Sequence, residues 1–553
     1  MHLLHTKVLR NLRPHLPWVL GLLLISLLLL RYFWSTTAWI ETHDGIFHVV
    51  RLEVFTESFR LGSFPVRWAG SLDHGFGLPL FNYVYPAPYY LGLPLTLLGL
   101  SSKWAIKFIE IAFYLIGGLG MYTLFARYGR SRAALSALLY LATPYLLLNL
   151  FIRGSLGEFM AISLIPWTIL VANDIHLRGK ISWYSPLPYL LLFLSHNFLS
   201  FLFLPIYVLY AFLKRKHFFS VLFSLGFSLG LAAFFLLPMI LERGYVYSAA
   251  SGDFTYNYVN HFVYLQQLIY SSWGNGFSVP GPGDGISFQL GFVQLLVLLS
   301  AFVFAWRKKL NSSALLWLAV SVGTILFMLP LASPVWDLIF PLQIIQFPWR
   351  LLALTTVAIP FLSQAVLADL SARQIRWIGI PLAVLCLVFA WVYSTPFNLQ
   401  DNAEFAKQLY IHREQTTTSS RLELLPRWAP VESRWRGDES LRILGGDAQI
   451  TLQTQNALSL TFSSVTSDPA ASYLIRRNYF PSWRASDENG YSLPLEPYDG
   501  EIVLHPAVGS HIYRVEVGST PLESAANLIS LLTILALVVF TTPCPKLQTI
   551  HKR

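Results

Sequence analysis

The chain has 553 residues, of which 54% are hydrophobic, 15% aromatic and only 12% charged; the charged fraction is about half that of an ordinary soluble protein. With a mean hydropathy of +0.52, it reads as an integral membrane protein. Its formal net charge of +10 falls in short basic clusters between apolar runs, a mark of membrane topology that excludes nucleic acid as a partner. There is no Walker loop, no GxGxxG after a strand and no zinc-type cysteine spacing. The two cysteines, Cys386 and Cys544, lie in or beside apolar runs, so no disulfide is expected.

Lys7, Arg10 and Arg13 precede the first apolar run, Trp18 to Leu30, and put the amino terminus in the cytoplasm. No small-residue cleavage site follows at Leu30 to Trp34, so the run reads as an uncleaved anchor. Residues 35–102 then form a large outer loop. Within it, Phe81 to Leu100 carries Pro86, Pro88 and Pro94 among tyrosines, which suits an interfacial or re-entrant helix. Further crossings are expected near 105–125, 133–150, 159–172, 218–241, 288–306, 314–331, 351–367, 377–393 and 525–540, with a hairpin over 183–212. The inner turns between them each hold at least two basic residues, which gives about twelve spans with both termini cytoplasmic.

The hairpin is short. Its arms reach roughly 22 Å each at about 1.5 Å per residue, less than a hydrocarbon core of ~30 Å. The turn Ser195-His196-Asn197 is therefore expected to stop below the outer surface, either in a hydrated cavity or as a capped turn with satisfied hydrogen bonds. Between 396 and 521 the pattern changes to short alternating runs, such as Leu458 to Phe462 and Ile512 to Val517, separated by turn residues. These predict a β-sandwich or jelly roll outside the membrane, entered through a helical stretch near Gln400 to Leu425. The expected organisation is a multi-span domain over 1–395, the β domain over 396–521, and a final span with a basic cytoplasmic tail over 522–553.

One polar stretch stands out, Glu41 to Arg51 directly after the first span. It holds His43, Asp44, His48 and Arg51, groups too costly to leave in lipid and functional candidates by default. Four stretches around it resemble a known group: His43-Asp44-Gly45 to Arg51, Tyr85 to Tyr90, Arg153 to Glu158, and Gln346 to Arg350. The acid after span one resembles the GT-C superfamily of polytopic glycosyltransferases. The tighter resemblance is to bacterial membrane proteins of the "6-pyruvoyl-tetrahydropterin synthase-related" and YfhO-like groups. Asn478 to Trp483 resembles the Tyr-aromatic-Pro-Gly-Trp stretch of the latter, with Ser482 where glycine is usual. The resemblance spans nearly the whole chain. Its label is misleading in one respect, because a pterin synthase would need a zinc site that this sequence lacks.

The resemblance implies a GT-C-like, α-helical polytopic protein of the bacterial cytoplasmic membrane. It would transfer a sugar from a polyprenyl-phosphate donor to an envelope glycan or protein acceptor. Such chemistry needs a base for the acceptor and cations for the departing phosphate. Asp44 is the expected base, its alternative a helix cap. Glu158 is a second acid that would share the base role or hold a divalent metal, its alternative a first-turn residue favoured by the helix dipole. His43, Asp44 and His48 form a weaker candidate metal set. Arg153 and Arg350 are the expected phosphate ligands, since a guanidinium grips phosphate with two parallel hydrogen bonds; interfacial snorkelling is their alternative. Arg51 and Arg67 are reserves, and His196 and Asn197 would touch donor or sugar from the sunken turn. A different reading keeps the same residues as contacts in a non-catalytic transporter or assembly factor for lipid-linked polysaccharide.

Overall fold

Apolar runs become helices here because a backbone in hydrocarbon must satisfy its own hydrogen bonds. The computed structural model describes residues 13–247, 257–418, 422–432 and 439–542; Lys7, Arg10, Cys544, Lys546, Lys552 and Arg553 lie outside the described residues. Among the described residues, six helices are long and apolar enough to cross a membrane: Ser102–Tyr128, Leu156–Arg178, Asn197–Lys214, Pro348–Val366, Arg373–Tyr393 and Pro521–Thr541. Three further pairs qualify jointly but bend sharply. Arg130–Leu141 meets Pro144–Arg153 at 47°, Phe218–Leu231 meets Ala233–Leu241 at 70°, and Ser312–Met328 meets Pro330–Leu338 at 87°.

Among the described residues, six to nine spans thus meet this test of length and composition, against the twelve expected. The shortfall has physical causes. Pro144 and Pro330 lack the amide that would continue the helix before them. Leu16–Leu29 and Phe292–Trp306 are apolar but short. The first arm of the expected hairpin, Leu187–Ser195, has 9 residues and reaches only ~14 Å, whereas the second is a full-length helix. The break between them falls at His196, whose backbone is extended (φ −158°), where the polar turn was expected. Ala87–Leu97 has 11 residues, too few to cross, in keeping with an interfacial or re-entrant helix.

Leu156–Arg178 is almost wholly buried, while Arg373–Tyr393 and Pro521–Thr541 expose Val388, Leu535 and Val539 along their length. Such apolar surface belongs against lipid tails. The last span begins with a capping box in which Thr520 and Glu523 exchange hydrogen bonds.

Outside the helices, Trp39–Ile40 (β1) pairs antiparallel with Leu399–Gln400 (β2). The helix Asn402–Arg413, capped by Asp401, lies beside the first-loop helix Gly45–Arg60, with Arg413 3.4 Å from Glu57. The β region starts at Leu441 and forms two antiparallel sheets. One joins β3 (Leu441–Gly445), β6 (Ser472–Asn478), β10 (Glu501–Leu504) and β9 (Leu495–Tyr498) in that order. The other joins β4 (Gln449–Gln455), β5 (Ser459–Thr466), β11 (Gly509–Val517), β7 (Trp483–Ser486) and β8 (Ser492–Leu493). Burial alternates along β5 with the period of two expected of a strand that buries one face.

The two sheets close on Phe462, Tyr473, Ile475, Ile502 and Tyr513, and Trp68 of the loop after the helix Gly45–Arg60 enters the same core. Its ring lies 5.5 Å from Trp483 and 6.1 Å from Phe480, both from the Asn478 to Trp483 stretch. Asn478 fixes this contact by donating to the Gly77 carbonyl at 2.7 Å and to Asp73 at 2.9 Å. The β domain and the first loop are thus packed as one unit above the helices.

Candidate active site

The loop bearing Asp44 is hung by its backbone on another element. His43 and Asp44 donate their amides to the carbonyls of Ile152 and Arg153, at 2.9 and 2.8 Å. Those carbonyls belong to a π-helical turn, Asn149–Arg153, that ends at Gly154 in the left-handed region, φ +63°. Wide turns of this kind recur at functional sites because they redirect side chains. Gly154 is required twice over, since a Cβ there would come within 2.3 Å of Thr42 Oγ1 and 2.6 Å of the Gly45 amide nitrogen. Gly154→Ala is expected to destabilise by about 1–3 kcal/mol through overpacking alone and to push the Asp44 loop off the turn. Chemical unfolding of the purified variant measures the loss.

Asp44 occupies the N-cap position of Gly45–Arg60, yet its side chain makes no capping bond. The helix-cap alternative therefore does not account for it. The carboxylate is half-buried, and it interacts electrostatically with Arg51, Arg153 and Arg350.

Behind it lies a buried ion pair. Arg153 Nη1 donates to Glu158 Oε2 at 2.9 Å, to the Tyr145 hydroxyl at 3.2 Å and to Asn149. Tyr145 in turn donates to the other Glu158 oxygen. The Trp349 ring lies 4.6 Å from the Arg153 guanidinium. Arg350 brings its Nε to 3.8 Å from the same Glu158 oxygen and anchors Nη1 on the Ile345 carbonyl at 3.1 Å. Neither arginine commits its Nη2 to a hydrogen bond among the described residues. Glu158 sits in the first turn of its helix, but both its oxygens are engaged by side chains. Tyr145, Asn149 and Trp349 were not among the expected site residues. Trp349 lies in the Gln346 to Arg350 stretch, but nothing in the sequence marked Tyr145 or Asn149.

The opposite flank is aromatic. His48 is buried and bonded through Nδ1 to the Tyr89 hydroxyl at 3.0 Å, with Tyr85 beside it at 6.2 Å between ring centres. Tyr85 also reaches His196, at 5.6 Å. His196 interacts electrostatically with Glu158, Arg350 and Arg153, while its Nδ1 caps the next helix by accepting from the Leu199 amide. Arg51 is held by the Thr417 carbonyl and by Tyr89. Asp44, Arg51, Arg153, Glu158, His196 and Arg350 are thereby brought together from four separate stretches of sequence.

Two expectations need correction. Asn197 donates its side-chain nitrogen to the Met239 sulfur, at 2.7 Å, and accepts the Phe198 amide at its side-chain oxygen, at 3.0 Å, so both ends of its side chain are taken by the protein. His43, Asp44 and His48 form no three-ligand cluster among the described residues, because the helix turns His48 inward to Tyr89 while His43 stacks 4.9 Å from Phe277 and meets the Asn275 carbonyl. The group whose donors do come within 4.8 Å of one another is Asp487, Glu488 and His511, out on the β domain.

Burial, then the charge of Arg51, holds His48 well below the ordinary histidine range. An unfolded chain would protonate this imidazole below about pH 6.5 while the folded one keeps it neutral. Stability is thus complete above that pH and lost as pH falls towards the folded pKa. The expected result is a falling melting temperature between pH 6.5 and 5, with a shallower slope in His48→Gln.

A family model for the 6-pyruvoyl-tetrahydropterin synthase related domain, described as a membrane protein, matches residues 81–397. This is more than half of the chain. The protein belongs to that family. The matched region of this PTPS-related protein contains Tyr145, Arg153, Glu158, His196 and Arg350, while Asp44 precedes it. A search of curated proteins finds no match. Among solved structures, the chain is similar to the arabinofuranosyltransferase AftD from Mycobacteria, at 13% identity and a TM-score of 0.44, over 72% of this chain and 29% of that one. It is also similar to the Archaeoglobus fulgidus oligosaccharyltransferase, at 13% identity and a TM-score of 0.41, over 76% and 62% respectively. The PTPS-related chain thus spans less than two thirds of the length of either.

Proposed function

We propose that this protein is a membrane glycosyltransferase. It moves a sugar from a polyprenyl-phosphate donor to an envelope glycan or protein at the outer face of the bacterial cytoplasmic membrane. The β domain lies on that side and both termini lie in the cytoplasm. The observation that carries the reading is the meeting of an uncapped, half-buried Asp44 with Arg153 and Arg350. Three guanidiniums, including Arg51, gather against the carboxylates of Asp44 and Glu158. The surplus positive charge suits a phosphate dianion, and two Nη2 groups without partners among the described residues supply its donors.

In the proposed step the acceptor hydroxyl attacks the anomeric carbon and gives its proton to Asp44. The bond from that carbon to the phosphate oxygen breaks, and polyprenyl phosphate leaves with the electron pair, stabilised by Arg350 and Arg153. Glu158 is a positioning residue that holds both arginines in register. The aromatic flank of Tyr85, Tyr89 and Trp349 keeps the site dry enough for these charges to act strongly. Incubating the reconstituted protein with a labelled polyprenyl-phosphate sugar and a mixed envelope-glycan acceptor tests this. Release of polyprenyl phosphate is expected; movement of intact donor across the vesicle without release overturns the transferase in favour of transport.

A further inference from the structure

The helices that carry the candidate site at one end line a second cavity, of about 390 Å³, at the other. Glu158 and Asn173 lie on one helix, about 22 Å apart at about 1.5 Å per residue, and Arg350 and Gln364 on another, about 21 Å apart. His196 caps the helix that ends at Lys214, about 27 Å away. The separation approaches the ~30 Å thickness of a hydrocarbon core, so this cavity opens at the opposite membrane face.

Its lining sets Arg127, Arg132 and Lys214 against Trp317 and Phe361, and it contains no carboxylate. None of the three cations has an acidic partner within 4.0 Å among the described residues. Arg127 donates to the Tyr128 hydroxyl at 2.7 Å, Arg132 to the Leu370 carbonyl at 2.9 Å, and Lys214 lies 5.5 Å from the Tyr210 ring. The helix Ser312–Met328 starts at the cavity wall. Asn311 caps only the Ala314 amide, at 2.9 Å, and the Ser312 and Ser313 amides have no protein acceptor among the described residues. Unpaired cations and a helix amino terminus with free amides both favour an anion.

The Gln364 amide is already engaged by the Arg132 carbonyl at 3.1 Å and by the Ser136 hydroxyl, so the cations and the free amides are left to hold the ligand. One further feature points to the anion's source. The wall next to Lys214 is Leu213, an exposed leucine on a spanning helix, so the cavity adjoins the lipid-facing surface. Basic clusters that merely fix topology need neither a cavity nor uncommitted amides.

We propose that this cavity seats the headgroup of an anionic phospholipid of the leaflet opposite the candidate active site. Its phosphate lies among Arg127, Lys214 and the Ser312 and Ser313 amides. The assignment is independent of the transferase reading.

Native mass spectrometry of the full chain in detergent tests it, with phosphatidylglycerol, phosphatidylcholine and inorganic phosphate added in turn. Phosphatidylglycerol is expected to be retained and to raise the melting temperature, and phosphatidylcholine and inorganic phosphate to do neither. At about fivefold per cation near a membrane surface, Arg127→Gln with Lys214→Gln should weaken retention about 30-fold. Ser313→Asp should weaken it as well while keeping the fold, because an acid is welcome in a first helical turn but opposes an anion there. Equal retention of the two lipids, retention unchanged in both variants, or a shift produced by inorganic phosphate alone overturns the proposal.

Discussion

Glu158→Leu is expected to remove about 3–5 kcal/mol of stability, the usual consequence of breaking a buried ion pair from one side. The side chains of Arg153 and Glu158 are only 6% and 1% exposed, so the guanidinium left behind can neither hydrate nor leave. Tyr145 would lose its acceptor at the same time. The double variant Arg153→Met with Glu158→Leu should recover most of the loss, because two apolar side chains of similar size escape the desolvation of two ions. Arg350 would then lack its acid, but at 21% exposure it can turn towards water. Unfolding of the purified proteins in one detergent decides the matter. If the single and double variants melt together, the pair is not what holds the turn and the helix in register.

Much of this arrangement was legible as residues and little of it as geometry. The apolar stretches 105–125 and 377–393 each became one long helix, the second with Pro381 accommodated inside it. The stretches 133–150 and 314–331 looked no different in hydropathy, yet Pro144 and Pro330 bend or end their helices. That is why a count from hydropathy and basic clusters exceeds the number of described helices of spanning length. The hairpin turn at His196 was legible because length alone forbade two full arms. Trp68 was not: it sits in an irregular loop with no periodicity, and its partners Phe480 and Trp483 are some four hundred positions away. At the site, Arg153 and Glu158 stood out as charges beside a span, but their pairing with Tyr145 and Asn149 depends on a π-helical turn that no residue pattern announces. Whether Asp44 capped its helix was equally open in sequence, because a cap and a free carboxylate occupy the same position. The coordinates separate them by a single missing hydrogen bond.

That missing bond sets the sharpest contrast available between a structural and a chemical role. Asp44→Asn keeps the size and shape of the side chain and breaks no bond among the described residues, so the melting temperature should stay where it is. Transfer, by contrast, should fall about 10²–10⁴-fold, the range lost with a general base. Asparagine caps a helix as well as aspartate, so the cap role is tested by Asp44→Ala, which would cost a cap about 1 kcal/mol of stability with little effect on rate. Arg350→Lys sharpens the comparison. A single ammonium keeps the charge but loses the two-pronged grip on phosphate, so the variant should still transfer, more slowly, and bind donor more weakly. Donor turnover and unfolding measured on the same preparations give each variant two coordinates. Asp44→Asn belongs at full stability and almost no turnover, Glu158→Leu at low stability, and Arg350→Lys between wild type and Asp44→Asn in rate. Full turnover in a well-folded Asp44→Asn protein would remove the carboxylate from the reaction, and the arginines around it would then be holding a phosphate that no group in this cluster helps to displace.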